Sequence, residues 1–92
     1  MPDILHQPDQ TRFAILMEGE DAELVYRQRE GRITFVHTFV PEAVRGQDLG
    51  TALVEAGLAF ARETELAVVP ACPFVKAYME AHPETHDLLA SR

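Results

Sequence analysis

"RITFVHTFVPEAVRGQDLGTALVEAGLAFA", residues 32–61, changes its apolar period partway along, and that change decides the fold. Up to Val40 it reads as a strand, with Ile33, Phe35, His37 and Phe39 on one face and Thr34, Val36, Thr38 and Val40 on the other. Pro41 ends the strand. From Leu49 the apolar residues recur at Leu53, Ala56 and Phe60, which is the spacing of one helical stripe, and Val54, Leu58 and Ala61 widen it. Gly57 costs a helix about 1 kcal/mol relative to alanine, so its presence marks a close approach to the sheet. The short apolar run "LAVVPAC", residues 66–72, then follows as a strand that the crossover helix lays parallel to the first.

Working outward, "RFAILM" (12–17) and "AELVYRQ" (22–28) flank the polar turn "EGED" and predict an antiparallel hairpin. A second turn, "REGR", carries Gly31 for a positive φ and leads into the strand at residue 32. Pro70 and Pro73 remove backbone donors where a fully paired central strand needs them, so the two parallel strands should separate near their ends. "FVKAYMEAH" (74–82) predicts a helix with Phe74, Ala77, Tyr78 and Ala81 along one face, and Pro83 can open a last helical turn, "PETHDLL". The expectation is one α/β (α+β) domain over residues 1–92. It has antiparallel N-terminal strands, a strand-loop-helix-strand crossover with splayed parallel strands, and a C-terminal helix.

Composition narrows the function classes. Nearly half of the 92 residues are apolar and a quarter are charged, as in a globular fold. A net charge of −7, with eight Lys and Arg scattered along the chain, argues against general nucleic-acid binding. The same field favours a cationic partner such as an amine, although solubility alone also explains it. The acidic turn Glu18, Glu20, Asp21 and Glu23 has the same two readings. "MPDILHQPDQ" does not read as a signal peptide, and the longest helical apolar stretch is interrupted by Glu55 and stops at Arg62, too soon for a bilayer. With one cysteine, Cys72, no internal disulfide can form, and a cytoplasmic location without membrane association is expected. His82 and His86 are four apart, but Pro83 interrupts them and no acid completes a set, so no metal site is expected. Oligomeric state is not legible.

The loop between strand and helix carries the chemistry. Ligands of such folds bind beyond the carboxyl ends of the strands, where the first helical turn offers unpartnered amides and a positive dipole end. Arg45 adds a full charge, and Gly46 and Gly50 allow close backbone approach. The stretch Arg45, Gly46, Gln47, Asp48, Leu49, Gly50 resembles the phosphate loop of the GNAT superfamily of N-acetyltransferases, which reads Arg or Gln, two variable residues, Gly, one variable residue, then Gly or Ala. The likeness is greatest to a small single-domain branch, the YjdJ type, and extends through "VVPACPFVKAYMEAHPE". Asp48 departs from the loop pattern, which has glycine there. A carboxylate at that point can cap the free amides, so Asp48 is expected to stabilise the empty protein and weaken CoA binding.

The resemblance implies an acetyl-CoA-dependent enzyme that moves an acetyl group to a primary amine of a protein or small molecule. Amides from Gln47 to Thr51 would hold the pyrophosphate, and Phe39 and Val40 would pair with the pantetheine arm. Tyr78 matches the tyrosine that protonates the CoA thiolate in the superfamily; it also reads as a core aromatic. Cys72 is a candidate active-site residue of the branch, as an acetyl acceptor or as lining of the thiol site. From the residues themselves, His37 is either a general base or a hydrogen-bonded core histidine. The alternative to an enzyme is a CoA-binding or interaction module with little turnover.

Overall fold

The computed structural model describes residues 3–90. The two residues at each end of the domain expected over 1–92 lie outside them. Strands β1 (Leu5–Gln7), β2 (Arg12–Ile15), β3 (Ala22–Arg29), β4 (Arg32–Phe39) and β5 (Ala67–Pro70) form one sheet in chain order. Helix α1 (Leu49–Glu63) crosses between β4 and β5, and α2 (Pro73–Ala81) follows. The first three pairings are antiparallel and β4–β5 is parallel. Pro83–Leu88 forms a final 3-10 segment. Leu89 then bridges to Val68 and Ala90 donates to the Val68 carbonyl, which shields the edge of β5.

One apolar cluster joins the sheet to both helices. Leu24, Tyr26, Ile33, Phe35 and Val68 meet Leu53, Val54, Leu58 and Ala61 of α1 and Val75 and Met79 of α2. Burying side chains of this size stabilises by about 1.5–3 kcal/mol each, before the entropy of ordering them is subtracted. Gly57 lets α1 sit this close, since a Cβ there would stand 2.8 Å from the Phe35 ring and 3.0 Å from Leu24.

Strand β1 escaped the sequence reading because Leu5 is its one apolar residue and three residues show no period. Its His6 turns inward, stacks on Phe13 at 4.2 Å, meets the Phe60 ring edge-on at 4.5 Å and hydrogen-bonds the Tyr26 hydroxyl. Burial lowers the His6 pKa from its ordinary value.

Two expectations about facing need correction. Tyr26 pairs with Phe35, but Val25 pairs with His37, so Val36 is an extra residue in β4. This bulge reverses the alternation. His37 therefore lies exposed on the outer face, not on the Ile33/Phe35 face, and Thr38 takes the inward position opposite buried Leu24. On α2 the buried stripe is Val75 and Met79, continuing the period from buried Cys72. Phe74 is 44% exposed and Ala77 and Ala81 are exposed, leaving Tyr78 as the member of the expected stripe that packs partly against the core.

Candidate active site

Parallel pairing of β4 with β5 runs from Arg32↔Ala67 to Phe35↔Pro70 and stops there. The Cys72 amide makes the last link, donating to the Phe35 carbonyl at 2.8 Å. Pro70 and Pro73 cannot donate, so the chain turns away into α2 while β4 continues four residues further, paired to β3 alone. The separation expected from the prolines is present. A cleft of about 370 Å³ opens there, lined by Thr38, Phe39, Val40, Arg45, Gly46, Asp48, Leu49, Gly50 and Phe74. Thr38 belongs to the inner face of the sheet and Phe39 to the outer, so residues of both faces border the cleft.

The rim of the cleft is the start of α1. The first helical hydrogen bond is from the Ala52 amide to the Asp48 carbonyl, at 3.1 Å, so the amides before it point out of the helix without intrahelical acceptors. Arg45 is held beside them by Nε donating to the Val40 carbonyl at 2.9 Å. The expected cap does not form: Asp48 makes no side-chain hydrogen bond to the helix and its backbone is left-handed, with φ 60° and ψ 27°. That conformation costs a side-chain-bearing residue roughly 1 kcal/mol, which accounts for the glycine that the loop pattern carries here. Asp48 thus leaves the amides free and strains the loop instead of stabilising it. Gly50 lines the cleft and has a packing role as well: a Cβ there would lie 3.0 Å from the Phe74 ring, so its absence lets Phe74 form the cleft wall.

The remaining candidates are dispersed. Cys72 is buried, 4% exposed, with Sγ 3.3 Å from the Thr38 hydroxyl inside the fork of the two strands. Tyr78 stands outside the cleft lining, between α1 and α2, and donates to the Glu55 carboxylate at 3.0 Å. Burial foremost, then Glu55, raises its pKa, so it holds its proton at neutral pH. His82 stacks on Tyr78 at 4.0 Å and its Nδ1–H donates to the Tyr78 carbonyl, while His86 Nε2–H donates to the Met79 carbonyl. Gln47 and Thr51 flank the cleft without lining it. Thr38 and Phe74 are the site residues that sequence reasoning missed. Among the described residues no group of three or more His, Cys, Asp or Glu is placed to hold a metal, and no helix is long and apolar enough to cross a membrane.

A crossover with splayed parallel strands and a helix start facing the gap defines a mixed α+β fold with an opening between its parallel strands. Residues 12–88 match the family model described as GCN5-related N-acetyl-transferase, and the chain belongs to that family. It is also similar to the NMR solution structure of a candidate GCN5-like N-acetyltransferase from Staphylococcus aureus, with 27% identity and a TM-score of 0.77. That likeness covers 98% of this chain and 89% of the other. No curated protein matches the chain in sequence.

Proposed function

We propose that this protein binds acetyl-CoA in the cleft beyond Phe35 and transfers its acetyl group to a primary amine. The reading rests on one observation: β4 outruns its parallel partner beside a helix start whose amides are uncapped. Those amides, from Gln47 to Thr51, and the Arg45 guanidinium suit a diphosphate, and the unpaired edge of β4 at Phe39 and Val40 suits an amide-bearing arm. The Val40 carbonyl already accepts from Arg45 and Phe39 is paired with Glu23 of β3, so the backbone of Thr38 is the freer contact. Phe39, Val40, Leu49 and Phe74 supply apolar walls. The bound cosubstrate would supply an activated acyl carbon. The acceptor nitrogen bonds to that carbon, the carbon–sulfur bond breaks, and the thiolate takes a proton as the amine loses one. Thr38 and Cys72 stand at the fork where the thioester would lie. Two routes stay open there, direct transfer and relay through an acetyl thioester on Cys72.

A second reading, binding with little turnover, draws on the dispersal of the candidate groups. The Tyr78 hydroxyl is committed to Glu55 outside the cleft, and His37 faces away from the core. Thermal shift with CoA, run beside a free-thiol release assay on a panel of amines, separates the readings. Acetyl-CoA-dependent stabilisation with amine-dependent thiol release is expected. Stabilisation alone would leave the binding module, and no stabilisation at millimolar CoA would end both. For the route, mass spectrometry during turnover finds acetyl on Cys72 if the relay operates and an unmodified thiol if it does not.

A further inference from the structure

Three of the eight basic residues gather on the outer face of the sheet, in a chain whose net charge is −7. Arg27 pairs with Thr34 and Arg29 with Arg32 across β3 and β4, and Thr34 pairs with Val69 of β5, so these side chains share one face. Together with Glu30 they line a depression of about 470 Å³. Arg27 and Arg29 form no ion pair among the described residues, whereas Arg12 and Arg62 are each neutralised by carboxylates. With Arg27 and Arg29 alone set against Glu30, the depression keeps an excess of positive charge. Two guanidinium groups in a concave site, Arg27 and Arg29, that outnumber the one carboxylate lining it are suited to an external carboxylate or phosphate.

Its position relative to the gap gives it a use. The bulge at Val36 puts His37 on the same outer face, paired with Val25, two residues along β3 from Arg27. Two strand residues span about 7 Å. Because the cleft is lined both by Thr38 of the inner face and by Phe39 of the outer face, a molecule lying on the outer face borders it from that side. We infer that the acceptor is a primary amine carrying an anionic group, whose carboxylate or phosphate sits on Arg27 and Arg29 while its amine lies beside His37 at the mouth of the gap. This deepens the acetyl-transfer reading and rests on it for the chemistry, though not for the binding of the anion.

The test compares ε-aminocaproate, its carboxamide and an aminoalkyl phosphate of similar length, with wild type and the double variant Arg27→Gln/Arg29→Gln. Both substitutions are on exposed positions, and an unchanged thermal shift with CoA shows that the cleft is intact. Expected is a KM for the two anionic amines about tenfold below that of the carboxamide, with the difference abolished in the variant. The relative use of carboxylate and phosphate shows which anion fits. Binding is read separately, by the side-chain Nε–H NMR signals of Arg27 and Arg29 in the presence of CoA. They should shift with ε-aminocaproate and not with the carboxamide, whether or not turnover occurs. Equal KM values, or arginine signals that do not distinguish carboxylate from carboxamide, would overturn the inference while leaving CoA binding in place. A concentration-dependent dimer lost in the double variant would also overturn it, by assigning the arginines to the acidic turn of a second copy.

Discussion

From Arg32 to Phe35, β4 has a strand on either side; from Val36 to Phe39 it keeps only β3. The backbone chemistry of the two halves is the same, but the first half satisfies its polar groups within the sheet and sits under Gly57 of α1. The second half exposes an edge to a cleft rimmed by helix amides. Natural sheets blunt or cover their open edges, and this chain covers the far edge of β5 with Leu89 and Ala90. An edge left open inside the sheet, with a helix start aimed at it, is therefore better explained by a ligand than by packing.

The largest effect should come from disturbing the closed half. Gly57→Ala gains up to about 1 kcal/mol in helix propensity, yet its methyl would press on Phe35 and Leu24, and overpacking of this kind costs about 1–3 kcal/mol. Urea denaturation should show a net loss of stability. A variant as stable as wild type would mean that α1 can lift from β4, and the contrast between a rigid half and an open half would weaken.

Next in size is a change at the open half. Asp48→Gly removes the left-handed strain and one negative charge from the cleft rim, so stability should rise by about 1 kcal/mol and CoA should bind more tightly, most clearly at low salt. Weaker CoA binding with the fold intact would show that the Asp48 carboxylate contributes to the site.

The smallest effect concerns the support beneath Tyr26, the cross-strand partner of Phe35. His6 bonds Tyr26, and burial sets its folded-state pKa below the unfolded value near 6.5. The unfolded chain then binds the proton first. Stability is intact above the unfolded value, declines as pH falls below it, and levels off once pH has passed below the lowered folded pKa. Denaturation midpoints from pH 8 to 5 should show this decline, and His6→Gln should remove its share of it. An identical pH profile in the variant would place the decline on other groups.

Most of this contrast was legible in the sequence. The period change after Val40, the turn glycine, the crossover and the two prolines each carry a local physical constraint, and together they specify the splayed pair. The orientation of His37 was not legible for an equally physical reason. His37 and Thr38 are adjacent polar residues, so sliding the strand by one position between them changes little apolar burial, and the pattern gives no signal for the bulge. Phe74 was hidden likewise, because its ring packs on the missing side chain of Gly50, a residue already explained as a ligand contact. The geometry of Asp48 depends on a backbone angle that acid chemistry alone does not reveal.

Backbone amide NMR on the uniformly labelled protein during a CoA titration tests the open half most directly. Signals of Phe39, Val40 and Asp48 through Thr51 should move together and saturate, while those of Ile33 and Phe35 in the closed half stay in place. Saturable shifts that fall elsewhere, or none at millimolar CoA, would contradict the assignment of the gap in β4 to the cosubstrate.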